Sequence, residues 1–84
     1  MKTIKFKNSL GCGYDLICAN IAADLHISMK ELFFEKIKPR GKLLLSGIIQ
    51  GRTDEVRFAF ERLGFVFADC DDENGWVAFA FQKP

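Results

Sequence analysis

The hydrophobic positions of this chain fall into short blocks whose period changes along its length. In residues 2–7, Ile4 and Phe6 alternate with Lys2, Lys5 and Lys7. Period-two alternation predicts a short, half-exposed edge strand or an extended arm. Asn8 to Gly13 is rich in turn formers. Tyr14-Asp15-Leu16-Ile17-Cys18-Ala19-Asn20-Ile21 follows, and its unbroken run Leu16 to Ala19 has the pattern of a parallel strand covered on both faces. Asn20 ends that run. From Ala22 to Ile37 the period changes. Ala22, Leu25, Met29, Leu32, Phe33 and Ile37 recur at spacings of three and four, which puts them on one helical face. Asp24 lies in the first turn, where a negative charge suits the helix dipole. Pro39 stops the helix, and Lys38-Pro39-Arg40-Gly41 makes a turn.

Leu43-Leu44-Leu45, Ser46-Gly47 and Ile48-Ile49 predict a second buried strand. Gly51 or Thr53 opens a second helix, with Asp54 and Glu55 in its first turn. Val56, Ala59, Phe60 and Leu63 give that helix its apolar face, and Gly64 caps it. Phe65 to Cys70 and Trp76 to Phe81 are two strands. The acidic stretch Asp71 to Gly75 joins them, and its terminal Asn74-Gly75 marks an antiparallel hairpin. The fold class is α/β: a mixed sheet with two helices, ending in a hairpin, whose first two main strands are made parallel by a right-handed crossover. The chain divides into an edge strand or arm and loop (1–13), a βαβα unit (14–64) and a C-terminal hairpin (65–84), within one partial domain.

Composition narrows the function. Eighty-four residues make one small domain or part of a larger one. A hydrophobic share of 49% with nine Phe demands a packed core and excludes disorder. The formal net charge is +1 and no basic stripe is present, which excludes direct nucleic-acid binding. No apolar run reaches the ~20 residues of a membrane span, and residues 1–7 do not make a signal peptide. Cys12, Cys18 and Cys70 are odd in number and form no CxxC pair, as for buried or incidental thiols in a reducing cytoplasm. His26 with scattered cysteines is no metal set. The acidic stretch 71–75 reads as a solvated turn rather than a cation site, and Trp76 as core or hairpin packing. Gly11-Cys12-Gly13 precedes a strand, whereas a cofactor loop opens into a helix, so it reads as an ordinary connection.

Ligands of open α/β sheets bind beyond the carboxyl ends of the strands. Asn20 stands at one such end, and Ser46 with Gly47 near the next. Asn20 also fits a strand-to-helix capping residue, and Ser46-Gly47 a simple strand-ending turn.

The residues Tyr14-Asp15-Leu16-Ile17-Cys18-Ala19-Asn20-Ile21, followed by Ala23-Asp24, Lys38-Pro39-Arg40-Gly41, Ser46-Gly47-Ile48-Ile49, Gly64-Phe65 and Gly75-Trp76-Val77-Ala78, appear in the order of a known family. Over residues 10 to 83 the chain resembles the C-terminal part of the methyltransferases of ribosomal large-subunit protein eleven (ribosomal protein methyltransferase A). These are class I S-adenosylmethionine-dependent enzymes with a Rossmann-like sheet, whose last strand inserts between its two predecessors. The resemblance implies that Asn20 is catalytic and lies beside the transferred methyl group. It implies that Ala19 and Ile21 flank the cofactor S-adenosylmethionine, that Ser46 and Gly47 line the substrate side, and that a ribosomal protein is the substrate. The family's glycine-rich cofactor loop lies upstream of the matched stretch, so weak cofactor binding and no independent catalysis are expected of these residues alone. A neutral amide at position 20 suits the reaction. It can accept a hydrogen bond from an incoming amine, whereas a carboxylate would favour the unreactive ammonium. The alternative reading is a non-catalytic interaction module. In it the open edge of the first main strand pairs with a second copy or a partner chain, with the arm 1–7 available as an added strand. A remnant without function is a third reading. The location expected is cytoplasmic.

Overall fold

The computed structural model describes residues 3–5, as backbone, and residues 13–84. Gly11 and Cys12 of the glycine-rich stretch lie outside the described residues. The elements are β1 (Thr3–Lys5), β2 (Tyr14–Asn20), α1 (Ala23–Ser28), α2 (Lys30–Lys36), β3 (Ile37–Ile49), α3 (Thr53–Leu63), β4 (Val66–Glu73) and β5 (Trp76–Gln82). A single 3-10 turn, Gln50–Arg52, leads into α3. The sheet order is β1-β2-β3-β5-β4. β1, β2 and β3 are parallel, and β5 runs antiparallel between β3 and β4. The last strand therefore inserts between its predecessors, and the fold is the mixed α/β sheet that the sequence predicts.

The core lies on one face of this sheet. Ile17, Leu43, Phe81 and Phe67 are neighbours across four strands, and Ala19, Leu45 and Phe79 form the next row. All but Phe67 are buried, and Phe67 packs on their edge. α3 lays Val56 and Phe60, both fully buried, onto these rows. The ring of Phe60 stacks on Phe81 at 5.4 Å, and Phe65 meets Phe34 edge-on at 5.0 Å. Seven of the nine Phe (Phe33, Phe34, Phe60, Phe65, Phe67, Phe79 and Phe81) lie in or against this core, since large flat side chains fill the wedge between one helix layer and a twisted sheet. Phe58 is instead 60% exposed. The alternate positions Leu16, Cys18, Leu44, Ala78 and Ala80 are only half-buried or exposed, with Leu44 39% accessible. This corrects the expectation of a strand buried on both faces, because within these residues the helices cover one face.

Four further expectations change. The predicted helix from Ala22 to Ile37 is two helices that meet at Met29, so the described residues form three α-helices and not two. At the break, Ser28 donates its hydroxyl hydrogen to the Leu25 carbonyl at 3.0 Å, in competition with the helical ladder. The buried face is also rotated. Ala23, His26 and Phe33 point inward, while Leu25 and Leu32 are 43% and 37% exposed. Second, Asp71 to Glu73 belong to β4. Asn74 (φ 55°) and Gly75 (φ 83°) alone make the turn, because two residues with positive φ match the twist of a hairpin. The charges are tolerated there because β4 is an exposed edge strand. Third, Trp76 is 56% exposed rather than in the core, paired with exposed Ile49 at the end of the hairpin. Fourth, the edge of β2 is not open. Thr3, Ile4 and Lys5 pair with Leu16, Ile17 and Cys18, the place the sequence offered to a partner.

Lys38 to Arg40 and Gly41 bulge out of β3 between the pairs Tyr14–Ile37 and Leu16–Lys42. Lys38 forms an ion pair with Asp15 across that bulge. A Cβ at Gly41 would lie 2.9 Å from both the Lys38 and Tyr14 carbonyl oxygens, so only glycine fits. Among the described residues no helix is long and apolar enough to cross a membrane.

The C-terminus locks the helix layer to the sheet. Lys83 donates through Nζ to the carbonyl oxygens of Phe34 (2.6 Å) and Ile37 (2.9 Å), which end α2, and stands 4.5 Å over the Phe34 ring. A cation suits a helix C-terminus with unpaired carbonyls. Lys83→Met should lower the unfolding free energy by about 1–2 kcal/mol. Urea denaturation measures this, and an unchanged midpoint would mean that the tether adds nothing.

Candidate functional site

β2 and β3 end side by side, and the pairing of Asn20 with Ser46 puts the sequence-predicted residues together. Between the pairs Leu45–Phe79 and Ile48–Val77, β3 carries Ser46 and Gly47 against the single residue Ala78. This is a bulge with its extra residue at positive φ (Gly47, 79°). The extra residue restores the phase of the strand, so Ile48 points into the core as Leu45 does. It also brings the backbone against Asn20. A Cβ on Gly47 would lie 2.6 Å from Asn20 Oδ1 and 3.1 Å from the Ile21 carbonyl oxygen. Glycine is required here for two independent reasons, its dihedral angle and the space.

The predicted residues take different parts. Asn20 is exposed, with its amide oxygen lying along Gly47. Ser46 is half-buried and donates its hydroxyl hydrogen to the Ala19 carbonyl at 3.4 Å. Ala19 is buried in the core row beside Leu45, and Ile21 is partly buried just beyond the strand. A groove of about 660 Å³ opens at this point on the uncovered sheet face, lined by Cys18, Asn20, Leu44, Ser46, Ala78 and Ala80, with Asp69 and Asp71 of β4 on its far side. Its small side chains leave the volume free. Among the described residues no cationic side chain lines it, and its polar groups are amide, hydroxyl and carboxylate oxygens.

Two further contributors, the Asp69 and Asp71 pair and His26, were not assigned to this site from the sequence. Asp69 and Asp71 reach the groove because the extra residue Ala68 in β4 sets them opposite Ala80 and Ala78. His26 is the other. It is fully buried, and its Nε2–H donates to the Ser46 carbonyl at 2.8 Å. Its Nδ1 is buried without a partner among the described residues. The only signal in the sequence was a polar residue three after Ala23 and seven before Phe33. Burial holds the His26 imidazole below its ordinary pKa of 6.5, against the opposing pull of the Ser46 hydrogen bond. The loops that carry the site are joined at the surface. Arg52 donates to Asp24 at 2.5 Å and to Glu55 at 2.7 Å, which ties the end of β3 to the first turn of α1. The hydrogen bond from Arg52, and then its charge, hold the Asp24 carboxyl below its usual range.

The family model for ribosomal protein L11 methyltransferase (PrmA) matches residues 3–84. A ribosomal protein L11 methyltransferase of Herpetosiphon aurantiacus is 37% identical over 71 residues, which are 84% of this chain and 22% of that protein. One from Streptococcus thermophilus is 38% identical over 69 residues, 82% of this chain and 22% of that protein. The chain thus spans about a fifth of the length of these curated relatives. Among solved structures, ribosomal protein L11 methylase from Lactobacillus delbrueckii subsp. bulgaricus superposes with a TM-score of 0.83 at 22% identity. The match covers 92% of this chain and 40% of that one.

Two outcomes follow from the geometry. Gly47→Ala should cost at least the ~1–2 kcal/mol of a left-handed alanine and displace the Asn20 side chain, as read by denaturation and by the Asn20 amide resonances. Acidification should weaken the fold in the window that His26 sets. Unfolded His26 takes up a proton near its ordinary value of 6.5 and the folded residue resists it. Stability is therefore full above that pH and falls as pH drops toward the lowered folded value. Urea midpoints between pH 7.5 and 5 should show this loss, and His26→Leu should remove it.

Proposed function

We infer that this chain, which belongs to the ribosomal protein L11 methyltransferase family, forms the acceptor-orienting part of an S-adenosylmethionine-dependent protein N-methyltransferase. The observation that carries this reading is the convergence of Asn20, Ser46 and Gly47 at the carboxyl ends of two parallel strands, with Asn20 Oδ1 against the Gly47 backbone. The residues fit the cofactor in charge, because the polar groups among the described residues of this largely apolar groove are amide, hydroxyl and carboxylate oxygens, which suit a sulfonium. Bound S-adenosylmethionine supplies an electrophilic methyl group. The chain's own residues act on the acceptor. An amine attacks only through a free lone pair, so it must arrive neutral. The Asn20 amide oxygen accepts one N–H of that amine and turns its lone pair toward the methyl group. It carries no charge that would hold the amine as ammonium. Ala19 and Ile21 hold Asn20 between a core row and the strand end and flank the cofactor, while Ser46 and Gly47 border the acceptor.

The substrate in this reading is a ribosomal protein and the location is the cytoplasm, where ribosomes are made. The 71 matched residues cover 22% of the Herpetosiphon aurantiacus relative, so complete cofactor contacts are assigned to the rest of such an enzyme, and the affinity of these residues alone is weak. The interaction-module reading has one observation in its favour, the uncovered sheet face with Leu44 39% exposed.

A titration of the purified chain with S-adenosylmethionine, followed by amide chemical shifts with the solution mass recorded on the same sample, separates the two. The enzymatic reading expects small, unsaturated shifts centred on Asn20 and Ser46 that Asn20→Ala removes. An absence of shifts together with a dimer mass would favour the self-associating module.

A further inference from the structure

We propose that His26 is a positioning residue for the site. It sets the Ser46–Gly47 bulge against Asn20 by donating Nε2–H to the Ser46 carbonyl. The proposal rests on the reading of Asn20 as the acceptor-orienting residue, but its geometry stands apart from the cofactor. Three observations carry it. His26 is fully buried in α1, whose other buried residue is Ala23, so an apolar residue would satisfy packing there. Its one hydrogen bond among the described residues goes to the bulge itself, at 2.8 Å. Its other nitrogen has no partner among the described residues, so within them the polarity of the side chain serves that bond alone.

The consequence follows from peptide planarity. The Ser46 carbonyl and the Gly47 nitrogen belong to one rigid unit, so fixing the oxygen fixes the plane that enters Gly47. Gly47 in turn faces Asn20 Oδ1 at a distance that leaves no room for a methyl group. The Ser46 hydroxyl, bonded to the Ala19 carbonyl, holds the same unit from the β2 side. A bulge residue at positive φ has more freedom than a regular strand, and His26 removes it. The imidazole acts as a neutral donor. Carbonyl acceptance at Nε2 requires the Nε2–H tautomer, with a bare lone pair at Nδ1.

The test uses the whole chain without cofactor, so its outcome is independent of methyl transfer. The imidazole ¹⁵N pattern should show the Nε2–H tautomer. His26→Leu fills the space without a donor, and should shift the Gly47 amide and the Asn20 side-chain amide protons in a chain that remains folded. His26→Gln, which carries a donor at similar reach, should return both toward their original positions. An Nδ1–H tautomer would overturn the proposal, as would unchanged Gly47 and Asn20 signals in His26→Leu, or identical shifts in the two variants. If His26→Leu does not fold, the tautomer and the His26→Gln shifts decide the matter alone. A failed cofactor titration with these results intact would remove the methyltransferase reading and leave the positioning role standing.

Discussion

β3 has to pair in parallel with β2 on one side and antiparallel with β5 on the other, while burying Leu43, Leu45 and Ile48 completely. Parallel and antiparallel ladders differ in the spacing and slant of their hydrogen bonds, so a strand shared between them is under two registers at once. The chain meets this with irregularities at both ends. Lys38 to Gly41 loop out where β3 first meets β2, and Ser46-Gly47 bulge where β2 ends. The pairing to β5 continues past both, through Arg40 and Gly41 with Lys83 and through Gln50 with Gly75. The helices, the hairpin and the site all take their positions from this strand.

The second irregularity is where structure and proposed chemistry meet. A bulge at a strand end re-aims backbone and side chains, and here it keeps Ile48 in the core while placing Gly47 beside Asn20. The same device separates two environments. On the helix side lie the buried His26 and the aromatic rows, and on the other side lies a groove of small side chains and oxygens. Ser46 joins the two, with its carbonyl on His26 and its hydroxyl on Ala19. Surface ion pairs such as Arg52 with Asp24 contribute little to stability where they are exposed. Their effect is to hold the two loops of the site at a constant distance.

The uncovered sheet face agrees with the extent of the family match. The chain superposes on 40% of the Lactobacillus delbrueckii methylase, and in it one sheet face is packed by α1, α2 and α3 while the other shows Leu16, Cys18, Leu44, Ala78 and Ala80. The residues on the uncovered face are smaller and more mixed than the Phe-rich rows beneath the helices. That difference is the imprint of two kinds of surface on one set of strands.

Much of this was legible in the order of residues. Unbroken apolar runs marked β2 and β3, recurrence at spacings of three and four marked α3, and two apolar blocks around an Asn-Gly turn marked the hairpin. Asn74-Gly75 announced its turn through backbone sterics alone. Asn20, Ser46 and Gly47 stood out because polar or small residues broke apolar runs at strand ends. Other features depended on partners far away in sequence. Met29 breaks a helix whose apolar spacing ran on unbroken, and the inward face followed His26 rather than Leu25 because a carbonyl twenty residues ahead accepts its proton. The acidic run of β4 became strand because β5 completes its ladder, not through any propensity of its own. The amino-acid sequence by itself determined most of the segments that form strands and helices and the residues that end them, because those preferences are local. Only the tertiary structure decided which polar groups are buried and which face stays open, because a hydrogen-bond partner or a covering layer is a property of the packed chain.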